Sequence, residues 1–288
     1  MLIFAPAKIN LTLDILGKRP DGYHELWSVM QSITLGDLVE IKPAEKLKLN
    51  MVNANLPADE TNIAIKAFKA LMAATGKITG AQITIYKKIP LEAGLAGGST
   101  DGAAVLFGLN KLYNLNLTLK ELEEIGAKIG ADIPFCLNGG TALVEGIGER
   151  VTKLKPLLKG YFVIYKPPFG ITTKEAYLKL AGKDITSNRP NHQEFLKALY
   201  QEDLEKIGKL LKNVLELSAT AINPEIYKYK NELLTKNPLG VLMSGSGSTL
   251  FALTDNLKKA KEIYHKLSLP GEKYIVRPYA FGPTCLKL

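Results

Sequence analysis

Cysteine, histidine and arginine are the scarce residues of this chain, and each scarcity removes a class of function. The 288 residues hold two cysteines and three histidines. Cys136 and Cys285 are too few and too far apart for a disulfide framework or a zinc site, so both are expected as reduced thiols, and the histidines add no metal-ligand cluster. Arginine stands only at positions 19, 150, 189 and 277, so the net charge of +9 comes from lysines scattered through the chain. Arginine supplies most base-edge and bidentate phosphate contacts to nucleic acid. Its scarcity argues for a lysine-coated surface that steers small anions, and against a nucleic-acid partner. Long apolar runs are missing too. None approaches the roughly eighteen residues of a membrane span, and the N-terminus reaches Lys8 after too short an apolar run for a signal peptide. A cytoplasmic protein without a membrane partner is the expectation.

What is present is a globular composition, 46% hydrophobic and 23% charged, in a chain long enough for one large or two modest domains. One stretch organises it: Pro90-Leu91-Glu92-Ala93-Gly94-Leu95-Ala96-Gly97-Gly98-Ser99-Thr100. Before it, Ile83, Ile85 and Ile89 alternate with polar residues as in a half-buried strand; after it, Leu106, Leu109 and Leu112 recur at helical spacing through Asp101 to Tyr113. The glycines therefore sit where a strand turns into a helix. The first amides of a helix lack partners and its macrodipole is positive there, so a phosphate collects several N–H bonds. Gly94, Gly97 and Gly98 permit positive φ and close approach, while Ser99 and Thr100 offer hydroxyls to the helix, to a phosphate or to its metal ion. A P-loop needs lysine directly before the final Ser or Thr, and Gly98 stands there; the dinucleotide fingerprint is absent as well. From this stretch alone, a helix-capping turn reads equally well.

The remaining chain supplies the context. In the first strand Ile9, Leu11, Leu13 and Ile15 alternate with Lys8, Asn10, Thr12 and Asp14, which puts Lys8 and Asn10 on one face. That face is simply solvated unless it lines a cleft. A Pro-Gly turn then presents Tyr23 and His24. Strands are expected over 27–34 and 38–42, and helices over 59–74 and 118–129, the latter capped by Thr118 with Glu121. Asp132 lies in an apolar, Pro-containing turn, where a carboxylate is costly unless paired, used or capping a helix. A strand over 161–165 stops at Pro167-Pro168; helices are expected over 173–181, 193–199, 204–214 and 224–234. Two apolar strands flank Ser244-Gly245-Ser246-Gly247-Ser248, and a helix over 256–267 and a strand over 273–279 follow. Interleaved helices and strands give an α+β class with largely antiparallel sheets in two domains, residues 1–155 and 156–288.

The Lys8-x-Asn10 strand, the Gly94–Thr100 turn and the Ser244–Ser248 turn together resemble the three motifs of the GHMP kinase superfamily, in order and spacing. Asp21-Gly22-Tyr23-His24 and Gly130-Ala131-Asp132-Ile133-Pro134-Phe135 further resemble the branch that acts on 4-diphosphocytidyl-2-C-methyl-D-erythritol in the non-mevalonate isoprenoid pathway. The resemblance implies an N-terminal domain like ribosomal protein S5 domain 2, a ferredoxin-like C-terminal domain, and transfer of the ATP γ-phosphate to the substrate's 2-hydroxyl. It implies Lys8 and Asp132 as the catalytic pair, Asn10 on the polyol, and Tyr23 and His24 on the cytosine, with Tyr177 as a second aromatic wall. It also implies Pro90 to Thr100 around the ATP phosphates, Asn62 near the adenosine, Gly245 and Ser246 closing the site, and Mg2+, for which Ser99 or Thr100 is the candidate ligand. A homoserine or mevalonate kinase would share the three motifs without needing the Tyr23-His24 pair. A non-catalytic member would have lost Lys8 or Asp132, and both are present.

Overall fold

The computed structural model describes residues 1–180 and 184–287. Its first strand, β1 (Leu2–Lys18), contributes its apolar face to three separate cores: Ile3 and Ala5 to one, Ala7, Ile9 and Leu11 to a second, Leu13 and Ile15 to a third. The opposite face is buried as well, since Lys8, Asn10, Thr12 and Asp14 are each exposed by 4% or less. The alternation is therefore real, but the polar side faces protein and a cleft rather than bulk water.

The N-terminal part continues with β2 (His24–Pro43), β3 (Lys48–Val52), α1 (Ile63–Thr75), β4 (Ala81–Tyr86), α2 (Gly97–Leu112), α3 (Leu119–Ala127), α4 (Ile133–Asn138), β5 (Thr141–Gly146) and β6 (Arg150–Lys153). β2 runs unbroken through the expected interruption at Gly36-Asp37. Gly36 is a close-approach residue instead, since a Cβ there would lie 2.5 Å from the Phe4 ring. Because β2 is long it pairs with β1 on one side and with β4 and β5 at its two ends on the other. The helices pack on this sheet through Ala64, Phe68, Leu71, Val105, Leu106 and Leu109. Gly108 lets α2 settle on the strands: a Cβ there would meet Ile3 Cδ1 at 2.4 Å and Ile41 Cδ1 at 2.6 Å. The expected Thr118–Glu121 capping box is present at α3.

The C-terminal part comprises β7 (Tyr161–Lys166), α5 (Thr173–Leu180), α6 (His192–Gln201), α7 (Leu204–Leu210), β8 (Lys212–Asn213), α8 (Glu216–Ile222), α9 (Glu225–Leu234), β9 (Gly240–Met243), β10 (Leu250–Thr254), α10 (Leu257–Lys266), β11 (Glu272–Val276) and β12 (Thr284–Lys287). Ala181, the last residue of the helix expected there, lies outside the described residues. β7, β9, β10 and β11 form an antiparallel sheet of order β11-β7-β10-β9, the ferredoxin-like arrangement. Three segments differ from the expectation: the helix over 204–214 stops at Leu210, α8 was not anticipated, and a last strand follows residue 279. β8 pairs with β1 in parallel and β12 pairs with it antiparallel, so the first sheet recruits strands from late in the chain. Ala7, Ile9 and Leu11 of β1 share a core with Phe162, Ile164, Phe251 and Leu253 of the second sheet. β1 thus lies between the two halves. No helix among the described residues is long and apolar enough to cross a membrane.

Gly108→Val tests the seating of α2. Overpacking of this kind costs about 1–3 kcal/mol, and the urea midpoint should fall accordingly; an unchanged midpoint would show that α2 does not press on Ile3 and Ile41.

Candidate active site

The cleft between the two halves has a volume of about 1180 Å³ and is lined by Lys8, Asn10, Tyr23, His24, the segment from Pro90 to Ser99, Asp132, Tyr177, Gly245 and Ser246. At its centre the buried Lys8 Nζ donates to Asn10 Oδ1 at 2.7 Å and to the Gly94 carbonyl at 3.0 Å. Its distance to Asp132 Oδ2 is 3.9 Å, an ion pair without a hydrogen bond. Asn10 cannot turn away, because its amide donates to Ser28 Oγ at 2.8 Å and that hydroxyl donates to the Thr12 carbonyl at 2.6 Å. Asp132 precedes α4 but does not cap it, and its side chain is 34% exposed. The carboxylate is thus open to the cleft, which removes the capping reading.

The Gly94 carbonyl also accepts from Ser244 Oγ at 2.9 Å, and the same hydroxyl accepts from the Asn10 backbone N–H at 3.3 Å. One serine thereby joins all three motifs. Gly94 has φ +69° and a Cβ on it would lie 2.1 Å from the Ser244 carbonyl oxygen, so glycine is required on both counts. Gly245, at φ +56°, lies close enough that its Cβ would be 3.2 Å from Lys8 Nζ. Asn213 holds this turn from behind, its amide donating to the Met243 and Gly245 carbonyls, each at 2.8 Å.

Gly97 and Gly98 do not adopt positive φ; they form the first turn of α2, and Ala96 takes the left-handed conformation instead, at φ +58°. Their lack of side chains serves space. A Cβ on Gly97 would meet Ile89 Cγ2 at 3.2 Å and Lys87 Nζ at 3.4 Å. Ala96 provides no side-chain cap, and the first helical bond is Thr100 N–H to the Ala96 carbonyl. The amides of Gly97, Gly98 and Ser99 are therefore left without intrahelical partners, an arrangement able to take an anion. Thr100, expected among the phosphate and metal ligands, is not brought to the cleft: it is fully buried and its hydroxyl donates to the Pro6 carbonyl at 2.6 Å. Asn62 is likewise occupied, capping α1 through Ala64 N–H (2.9 Å) and donating to the Pro57 carbonyl (2.8 Å), while its neighbour Ile63 lines the cleft.

At the far end His24 and Tyr177 face each other with ring centroids 5.0 Å apart, tilted by 33°. Tyr23 stands 60% exposed beside them on the β1–β2 turn. Burial, with the Lys18 charge adding, holds the His24 imidazole below its ordinary value and so favours the neutral ring. Burial, and the charge of Asp132, push the Tyr177 phenol up. Ser246 Oγ and Thr173 Oγ1, 3.3 Å apart, link the Ser244–Ser248 turn to the start of α5. Among the described residues no group of three or more His, Cys, Asp or Glu is arranged to hold a metal.

Residues 62–140 match the model of the GHMP kinases N terminal domain and residues 195–273 that of the GHMP kinases C terminal. A 4-diphosphocytidyl-2-C-methyl-D-erythritol kinase from Carboxydothermus hydrogenoformans is 78% identical over 288 residues, all of both chains. The chain belongs to the 4-diphosphocytidyl-2-C-methyl-D-erythritol kinase family of GHMP kinases. A crystal structure of a 4-(cytidine 5'-diphospho)-2C-methyl-D-erythritol kinase superposes with a TM-score of 0.81 at 30% identity, covering 97% of this chain and 100% of that one. A homoserine kinase from Cytophaga hutchinsonii (TM-score 0.79, 21% identity, covering 99% of this chain and 96% of that one) shares the fold. For a kinase of this family, ATP is the co-substrate.

Reasoning from the sequence missed Ser244 as the junction of the motifs, Asn213 behind it, and a buried cluster beneath the Gly94–Thr100 turn. In that cluster Lys87 Nζ bonds Asp37 and Asp101. Burial pushes the Asp101 carboxyl well above the usual range, against the pull of Lys87 and with the charge of Asp37 adding. Ser244 had a signal, standing at the head of a Gly-Ser turn. Asn213 was hidden in an expected helix.

Gly94→Ala puts its methyl against a backbone carbonyl that cannot rotate away. ATP affinity in calorimetric titration should fall by about tenfold or more in a protein whose circular dichroism is unchanged; undiminished affinity would show that the Gly94–Ser244 junction does not shape the ATP site.

Proposed function

We propose that the chain transfers the γ-phosphoryl group of ATP to the 2-hydroxyl of 4-diphosphocytidyl-2-C-methyl-D-erythritol, with the phosphates on the first turn of α2 and the cytosine between His24, Tyr177 and Tyr23. The observation that carries this reading is the Lys8–Gly94–Asp132 junction lying between an uncapped helix start and an aromatic pair in one cleft. Phosphoryl transfer passes through a loose transition state, so positioning and charge neutralisation outweigh strong base catalysis. Lys8 suits that demand: two of its three N–H groups are given to Asn10 and Gly94, which aims the third at the reacting centre. The 3.9 Å gap to Asp132 leaves the carboxylate's lone pairs for the acceptor hydroxyl, which Asp132 orients and whose proton it takes. Asn10 holds the polyol, and Gly245 and Ser246 close the wall opposite α2.

Mg2+ fits the residues present. It keeps several waters and takes one or two protein ligands besides substrate phosphates, and Ser99, with an unengaged hydroxyl at the cleft, would hold it; Thr100, donating to Pro6, would not. Bound there, it would neutralise charge on the phosphate oxygens. Asn62, engaged in its cap, would meet the adenosine only through its backbone neighbourhood. Small molecules account for both walls of the cleft, so the reading needs no nucleic-acid or membrane partner. An ATP-consuming step on a nucleotide-linked metabolite belongs in the cytoplasm, where both are made.

Two measurements test this. In a coupled ATPase assay the cytidine-linked substrate should be phosphorylated and the bare methylerythritol phosphate, mevalonate and homoserine hardly at all, because losing the base leaves polar partners unpaired. Comparable kcat/KM with and without cytidine would sink the assignment of His24, Tyr177 and Tyr23. Asp132→Asn keeps the side chain's shape without its charge: the protein should bind both substrates while kcat drops about a hundredfold or more. A change below about threefold would make Asp132 a bystander.

A further inference from the structure

The cluster beneath the cleft has no part in the chemistry above, yet it is the most fully buried assembly of charge near the site. Lys87, Asp37 and Asp101 have side chains 4%, 0% and 6% exposed. Lys87 Nζ lies 2.5 Å from Asp37 Oδ2 and 2.7 Å from Asp101 Oδ2. Asp37 Oδ1 accepts from the amides of Lys88 (2.6 Å) and Ile89 (2.8 Å), whereas Asp101 Oδ1 has no partner at all. Such an assembly is poor at stabilising a fold, since apolar residues of like volume generally do as well or better. What it does here is geometric. Asp37, on β2, fixes the chain as it leaves β4; Lys87 carries the connection across to Asp101, in the second turn of α2. Both ends of the segment from Lys88 to Ala96 are thus tied to one bridge, and the ammonium lies directly against Gly97, whose Cβ would be only 3.4 Å from it. On the opposite side the same helix start is tied to β1 by Thr100 Oγ1 to the Pro6 carbonyl and by Lys8 N–H to the Leu95 carbonyl.

We propose that the Asp37–Lys87–Asp101 bridge is a positioning device: it sets the distance of the free amides of Gly97, Gly98 and Ser99 from Lys8 and Asp132, and so serves ATP and not the acceptor. This rests on the phosphate-binding role given to the turn above. Residues of the bridge do not line the cleft; they act through the backbone they hold.

Removing Lys87 alone would strand two carboxylates, so the test variant is Asp37→Asn/Lys87→Met/Asp101→Leu, which keeps an acceptor for the Lys88 and Ile89 amides and replaces the ion pair by apolar volume. Its melting temperature should match or exceed that of the parent, with KM for ATP raised about ten- to a hundredfold, as displacements near 1 Å cost, and KM for the cytidine substrate within about twofold. Recovery of both stability and ATP KM would overturn the proposal, leaving the bridge a replaceable piece of core. If the triple variant does not fold, Asp101→Asn, which preserves shape and a bond from Lys87, takes its place: faster hydrogen exchange at Gly97–Ser99 with a raised ATP KM supports the bridge, and parental values of both refute it. ATP binding by the parent protein is measured alongside. Its absence would fail the phosphate reading itself, whereas parental binding that the variants share would fail only the bridge.

Discussion

A lysine ammonium taken out of water must find partners for its N–H groups, and the way Lys8 does so governs the rest of the molecule. Its partners, Asn10 and the Gly94 carbonyl, belong to segments far apart in sequence, and a third segment, at Ser244, must reach the same carbonyl. Each requirement removes freedom elsewhere. Gly94 cannot carry a side chain, Gly245 must take a positive φ beside the ammonium, and Asn213 must hold the turn from behind. Only a strand packed on both faces can offer Lys8 to two other segments, and β1 meets that need by pairing within the first sheet while its apolar side chains pack against the second.

The proposed phosphate end combines a buried cation with backbone donors. Lys87, beneath the turn, is paired with two carboxylates, and Lys8, at its edge, gives two of its N–H groups to Asn10 and Gly94. No arginine lines the phosphate end; Arg189, which borders the cleft, donates to the Ile15 carbonyl at the far side. Beside the Lys8 charge, the unpaired amides and the α2 macrodipole add positive potential at positions that do not fluctuate as exposed lysine side chains do. Groups that need no rearrangement when charge builds up are the effective ones in a transition state.

Much of this was legible in the sequence, and the exceptions have physical causes. Strand-to-helix glycines, the Lys8-Asn10 alternation and the Gly-Ser turn announce themselves because backbone geometry demands those residues locally. The Thr100 side chain misled because structural tethers and phosphate ligands draw on the same polar residues, and only burial distinguishes them. Gly36-Asp37 imitated a turn, although the glycine serves contact with Phe4 and the aspartate serves Lys87. Asn213 and the short strands β8 and β12 could not be read, since their partner is β1, some two hundred residues or more distant, and no local pattern encodes a partner so remote.

The division of labour across the cleft follows from the same arrangement. The residues proposed to face phosphate, from Lys8 through Gly94 to Gly245, are held by hydrogen bonds from separate segments or backed by the bridge beneath α2, so a substitution there disturbs several tethers at once. The aromatic end is built otherwise. Tyr23 and His24 sit on the β1–β2 turn and Tyr177 on α5, with the His24–Tyr177 contact spanning the two halves, and Tyr23 is largely exposed. Tyr23, on its exposed turn, can change without straining a core, whereas Tyr177 packs against the third one. A homoserine kinase at 21% identity shares the fold, and on the proposed reading the tethered end of the cleft is the constrained one, whereas the end that carries the exposed Tyr23 is the more easily altered.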